Sequence, residues 1–140
     1  MGRFSVEVEL ANDEDLIRAK AGLITDSQVR RERIRAVVDS GATRLVIPEP
    51  ISRRLGLQAK GTVQVRYADG RTAHKDVVER VRLTFGDRDS VFNAIVEPSR
   101  ESALLGAIVM EDLDLIIDCT TQQLVPRDPK QLTSEIEELS

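Results

Sequence analysis

The stretch "AVVDSGATRLVIP", residues 36–48, is an apolar run that Asp39, Ser40 and Gly41 interrupt before it resumes. A carboxylate inside a hydrophobic strand costs several kcal/mol unless it is hydrogen-bonded or has a chemical task. The neighbouring residues supply hydrogen bonds. Gly41 lets the backbone turn tightly and aim its N–H groups at the carboxylate, and Ser40 offers a hydroxyl that can hold the loop from below. Ala42 keeps the floor of the site small, and Thr43 completes the loop.

Working outward, Phe4, Val6, Val8 and Leu10 alternate with Ser5, Glu7 and Glu9, the period of a strand with one wet face. "RERIRAVVDS" repeats this pattern with Ile34, Ala36 and Val38, then becomes apolar on both faces. Between the two, "ANDEDLIRAKAGLITDSQ" reads equally as a short helix or a long loop. After the interruption the chain predicts a short strand stopped by Pro48, helical turns over Glu49–Leu55 and a left-handed cap at Gly56. "ADGR" is the turn of a long hairpin, "GDRD" of a second, and "ALLGAIVMEDLDLIIDCTTQQLVP" gives a strand into Gly106, a short helix and a closing strand pair. Residues 127–140 read as a polar, charged tail beyond a core of about 4–126.

A chain of 140 residues fits one domain, 1–140, with a core large enough to need no staples. Its net charge of −4 gives no electrostatic reason to expect nucleic acid, and its first periodic segment carries Glu7 and Glu9 where a secretory signal would be apolar. The expectation is a cytoplasmic protein with no membrane partner. The single Cys119 cannot form an internal disulfide and is expected as a small buried thiol in a strand.

"VVDSGATRLVIP" resembles the active-site loop of the retroviral-type (retropepsin-like) aspartic proteases, apolar-apolar-Asp-Thr/Ser-Gly-Ala. "ALLGAIVMEDLDL" resembles the apolar-apolar-Gly-then-helix segment that packs behind that loop, with Leu104, Leu105 and Gly106 as the packing residues. The hairpin with "YADGR" at its tip falls between them, where the family carries its flap; the small cellular bacterial proteases are the nearest in character. The resemblance implies an all-β, single-lobe, closed β-barrel or sandwich with one or two short helices and a flap hairpin. It further implies Asp39 as the catalytic carboxylate, Gly41 as a contact for substrate backbone, and Tyr67, Ala68, Asp69, Gly70 and Arg71 as flap and substrate-binding residues.

Only one Asp-Ser-Gly is present, and 140 residues cannot hold two such lobes. The implied active form is therefore a homodimer with Asp39 from each chain meeting on the two-fold axis, cleaving a peptide or protein substrate by an activated water, without cofactor or metal. By the same resemblance Ser40 would bond across the axis. The competing expectation is a catalytically silent dimer that keeps the fold as a peptide-binding or regulatory module. Ala107 stands where viral enzymes carry an arginine that braces the dimer, and Asp112 and Asp114 replace a polar pair.

Other candidates have plainer readings. Asp118 in "LIIDC" lacks the following glycine of a dyad loop and reads as a strand-end residue satisfied by backbone. His74, the only histidine, has no partners at ligand spacing and reads as solvent-facing. Arg30, Arg31, Arg33 and Arg35 in "VRRERIR" read as the solvated face of a strand.

Overall fold

The alternation at the start of the chain becomes β1 (Phe4–Asn12), in a computed structural model that describes residues 3–136. It pairs antiparallel with β2 (Arg31–Val38), Phe4 opposite Val38 and Val8 opposite Ile34. Between them the acidic segment is helical: α1 spans Asp13–Lys20, and a 3-10 turn follows at Asp26–Gln28. The side chain of Asn12 caps α1 by accepting the Asp15 N–H at 3.1 Å, while its amide donates to Leu55 O at 2.8 Å. Asp13 and Asp15, both buried, meet Arg82 and Arg30 at 2.8 Å each. The hydrogen bond from Arg30 is the main force holding Asp15 below the ordinary carboxylate range. These distant partners decide what local sequence left open.

Next come β3 (Leu45–Pro48), α2 (Glu49–Leu55) with Gly56 at φ 62° as its left-handed cap, β4 (Ala59–Arg66) and the long β5 (Thr72–Phe85). They are followed by β6 (Arg88–Glu97), β7 (Ala103–Leu105), α3 (Ala107–Asp112), β8 (Leu115–Asp118) and β9 (Gln123–Pro126). Among the described residues the main sheet runs β1-β2-β7-β3-β6-β5-β4, and β1 also pairs with β5, so that six strands close into a barrel. Closure removes the exposed edges that an open sheet would present.

β4 lies outside the barrel and pairs only with β5, which lets the β4–β5 hairpin project. β5 serves both roles because it is kinked. Its register against β6 shifts between Val78 and Val81, Arg80 takes φ 63°, and the Glu79 N–H turns to Gln58 O at 3.1 Å. Residues before the bulge pair with β4, Val77 and Val78 bridging to β6 as well, and those after it join β6 and β1. Leu10, Val38, Leu45, Ile47, Leu83, Leu105 and Val109 are among the side chains fully buried in one continuous core.

β7 lies between β2 and β3, parallel to the first and antiparallel to the second. The segment leaving β2 must therefore cross the end of β7 before returning as β3. Four backbone hydrogen bonds fix that crossing: Asp39 N–H to Leu105 O (3.0 Å), Gly106 N–H to Arg44 O (3.1 Å), Ala107 N–H to Ala42 O (2.8 Å) and Ile108 N–H to Thr43 O (2.9 Å). A Cβ on Gly106 would overlap the Thr43 carbonyl carbon and stand 2.5 Å from Arg44 O, both backbone atoms.

The β8–β9 hairpin ends in a turn that leaves Cys119 exposed, so this thiol is not the buried strand residue expected from sequence; β8 stops one residue earlier, where Asp118 accepts the N–H groups of Thr120 and Thr121. The tail is fixed on the barrel as far as Thr133. Buried Arg88 donates to the carbonyls of Leu113 and Asp114 at 3.0 Å, of Gln131 at 3.1 Å and of Asp128. Asp114 accepts the Thr133 N–H (2.9 Å) and Arg127 Nε (2.8 Å). No helix forms over residues 131–136, and the rest of the charged tail lies outside the described residues.

Two outcomes are expected. Gly106→Ala should lower unfolding stability by roughly 2–4 kcal/mol in urea titration, since backbone and not a flexible side chain blocks the methyl. The Thr133 N–H bond first, then Arg127, hold the Asp114 carboxyl below its ordinary value of 3.8 against the opposing effect of burial. A depressed carboxylate stabilises fully above that value and ceases to do so as pH falls through the depressed one. Hydrogen exchange at the Thr133 amide should accordingly accelerate below pH 3.8, and Asp114→Ala, which leaves that amide no acceptor, should show fast exchange already at neutral pH.

Candidate active site

Asp39 is the first residue past β2, where the strand ends and the loop of residues 39–44 begins to cross β7. Its Oδ1 accepts the Gly41 N–H at 3.0 Å, and its own N–H is tied to Leu105. The Ala42 N–H returns to Asp39 O at 3.1 Å and closes a tight turn. Gly41 is needed for proximity: a Cβ there would sit 3.3 Å from the Asp39 Oδ1, tighter than ordinary packing allows without a shift. The carboxylate that seemed out of place in an apolar run is thus an N–H acceptor at the barrel mouth, its side chain 18% exposed.

Ser40, Gly41 and Thr43 face solvent and Ala42 is half-buried, whereas Leu105 and Gly106 are buried beneath them and Leu104 is half-buried. The structure thus brings together the two segments that sequence assigned to one site. A rigid floor carries an exposed turn with one carboxylate at its edge.

The other predicted residues gather in the turn of the β4–β5 hairpin. The Tyr67 N–H donates to Arg71 O at 2.8 Å, the Gly70 N–H to Tyr67 O at 2.9 Å, and Gly70 takes φ 89°, which a side chain would resist. Asp69 accepts the Arg71 N–H at 3.0 Å and Arg71 Nε at 2.8 Å, which together hold its carboxyl below the usual range. The Arg71 guanidinium lies 4.9 Å over the Tyr67 ring, and Ala68 is exposed. Among the described residues no hydrogen bond or ion pair joins this turn to the Asp39 loop.

Sequence reasoning missed what ties the hairpin down. Glu97, at the end of β6 and nearly buried, accepts the Tyr67 hydroxyl at 2.9 Å and the Lys75 ammonium at 3.0 Å, and this bond is the main cause of a raised Lys75 pKa. It also missed Arg3, whose Nη2 lies 3.3 Å from Asp39 Oδ2. The only sequence signal for Arg3 was register: with Phe4 opposite Val38, the next pair outward is Arg3 and Asp39. Among the described residues no group of three or more His, Cys, Asp or Glu could hold a metal ion, and no helix is long and apolar enough to cross a membrane.

The fold has known counterparts. The protease of EIAV, solved in complex with the inhibitor HBY-793, superposes with a TM-score of 0.57 at 16% identity, over 80% of this chain and 88% of that one. The protease of simian foamy virus (mac) gives 0.49 at 18% identity, over 76% of this chain and 91% of the other. At such identities the first of these shows a shared fold, that of a retroviral protease. No curated protein sequence matches the chain. The family model described as "gag-polyprotein putative aspartyl protease" matches residues 25–112, a span that takes in β2, the Asp39 loop, the projecting hairpin, β7 and α3. The chain belongs to that aspartyl protease family, with a retropepsin-like barrel.

Proposed function

We propose that the chain is an aspartic endopeptidase that works as a homodimer, with Asp39 of each copy facing the other across a two-fold axis. The observation that carries this reading is the Asp39 loop itself: a carboxylate fixed by the Gly41 N–H on a braced floor, with an exposed turn around it. One chain offers one such carboxylate. General acid–base hydrolysis at a carboxylate pair needs two, and the sequence holds a single Asp-Ser-Gly.

Two carboxylates about 3 Å apart cannot both ionise, so they share one proton. The ionised member takes a proton from a water lodged between them, and the water oxygen bonds to the scissile carbonyl carbon. The protonated member gives its proton to the carbonyl oxygen. The tetrahedral intermediate then collapses: the C–N bond breaks, the proton held by the first carboxylate passes to the departing nitrogen, and the second carboxylate takes back a hydroxyl proton as the new carboxyl group forms. Ser40, Gly41 and Thr43 are exposed on the turn; in this reading Ser40 bonds toward the second copy and Gly41 meets substrate backbone.

An extended peptide fits this arrangement because a strand-like substrate can hydrogen-bond along the groove over the carboxylates. In this reading the β4–β5 hairpin is the flap, with Tyr67, Ala68, Asp69, Gly70 and Arg71 at its tip. The bond of Tyr67 to Glu97 and the ion pair of Lys75 fix its resting position. The absence of any direct tie to the Asp39 loop leaves the tip free to close over a bound peptide.

Asp39→Asn keeps an oxygen for the Gly41 N–H and so should preserve the loop. Cleavage of an unfolded protein substrate should fall by at least about a thousandfold, with the dimer mass retained and the thermal midpoint within a few degrees of the parent. A variant that cleaves as well as the parent would overturn the assignment of Asp39, and a parent that cleaves nothing would transfer the reading to the silent peptide-binding module. Tyr67→Phe, which breaks only the tie to Glu97, should alter KM for peptides by roughly two- to tenfold while the fold stays intact, as judged by steady-state kinetics and circular dichroism.

A further inference from the structure

Both oxygens of Asp39 are engaged within one chain. Oδ1 faces inward to the Gly41 N–H, and Oδ2 faces the Arg3 guanidinium at 3.3 Å. The two ends of this ion pair differ: the Arg3 side chain is 68% exposed and that of Asp39 18%. Arg3 can therefore leave toward solvent at small cost, whereas Asp39 stays. The pairing follows from the sheet, since the β1–β2 register that sets Phe4 against Val38 carries the next residue of β1 to the start of the catalytic loop.

A guanidinium on Oδ2 conflicts with a working carboxylate pair. The outer oxygens must face the second copy and cradle the water, and one carboxyl must carry a proton. Two carboxylates that each keep a guanidinium have no need to share a proton, so the acid that protonates the scissile carbonyl would be missing.

We propose that Arg3 is an autoinhibitory latch: it occupies the outer oxygen of Asp39 in the single chain, and docking of a second copy displaces it. This rests on the reading of Asp39 as half of a dimeric site and adds how that site is kept closed. Assembly and release of the latch are then one event. The concentration at which the chain becomes active is set in part by how strongly Arg3 holds Asp39.

The experiment compares the parent with Arg3→Gln, Arg3→Lys, Asp39→Asn and the Arg3→Gln/Asp39→Asn double variant, by sedimentation equilibrium and by peptide cleavage at enzyme concentrations below the dimer midpoint. An exposed ion pair lost from each of two subunits should tighten dimerisation of Arg3→Gln by about tenfold. Cleavage at low enzyme concentration should rise with it, and Arg3→Lys should stay near the parent. In the Asp39→Asn background, Arg3→Gln should leave dimerisation unchanged, because the latch has lost its anion. If Arg3→Gln dimerises no more tightly than the parent while Asp39→Asn still abolishes cleavage, the latch is refuted and the proposed function stands. If every variant stays monomeric at all concentrations, the dimeric site itself is refuted, and the latch with it.

Discussion

The form of the Asp39 loop depends on the passage of Gly106 beneath it. A three-residue strand is slotted between two others, and the chain that joins those two has to climb over its end. Glycine is the residue that lets the two backbones come close enough for Ala42 and Thr43 to accept the N–H groups of Ala107 and Ile108. Individually such bonds contribute about 1 kcal/mol. Collectively they turn a polar, exposed loop into a fixed platform, the condition for placing a reacting group to within a fraction of an ångström.

The second constraint is the double duty of β5. One strand supplies both the closure of the barrel and one arm of the projecting hairpin, by breaking its register at Val78–Val81. The left-handed Arg80 is an uncommon conformation for a residue with a side chain, and it is held between pairing partners on both sides. The projecting part is more exposed than the barrel and is anchored chiefly through Tyr67, Lys75 and Glu97.

Much of this was legible in sequence because the determinants were local. Alternation located β1 and β2, Pro48 and Gly56 bounded a strand and a helix, and Asp69-Gly70 marked a turn. The interrupted apolar run gave the Asp39 loop, and "ALLG" its floor. What local signals missed depends on distant partners. The helix α1 is stabilised by Arg30 and by Arg82, the latter 69 positions away, and the tail is held by Arg88, 40 or more positions before its contacts. Composition could not show that Cys119 would fall in a turn. Glu97 and Arg3 looked like ordinary surface charges, since nothing in their own neighbourhoods says which strand end each will face.

The slotting of β7 also bears on how the protein comes into being. The loop of residues 39–44 is held in its final shape by bonds to residues 105–108, a sequence separation of some 60 positions. Contacts of that range form late, after shorter-range hairpins such as β4–β5 and β5–β6 have reduced the entropy of the intervening chain. A nascent chain still lacking β7 therefore holds the acidic residue but not the platform beneath it. The platform matures only when the lobe is complete, so that the geometry of the Asp39 loop is withheld from an unfinished chain by topology.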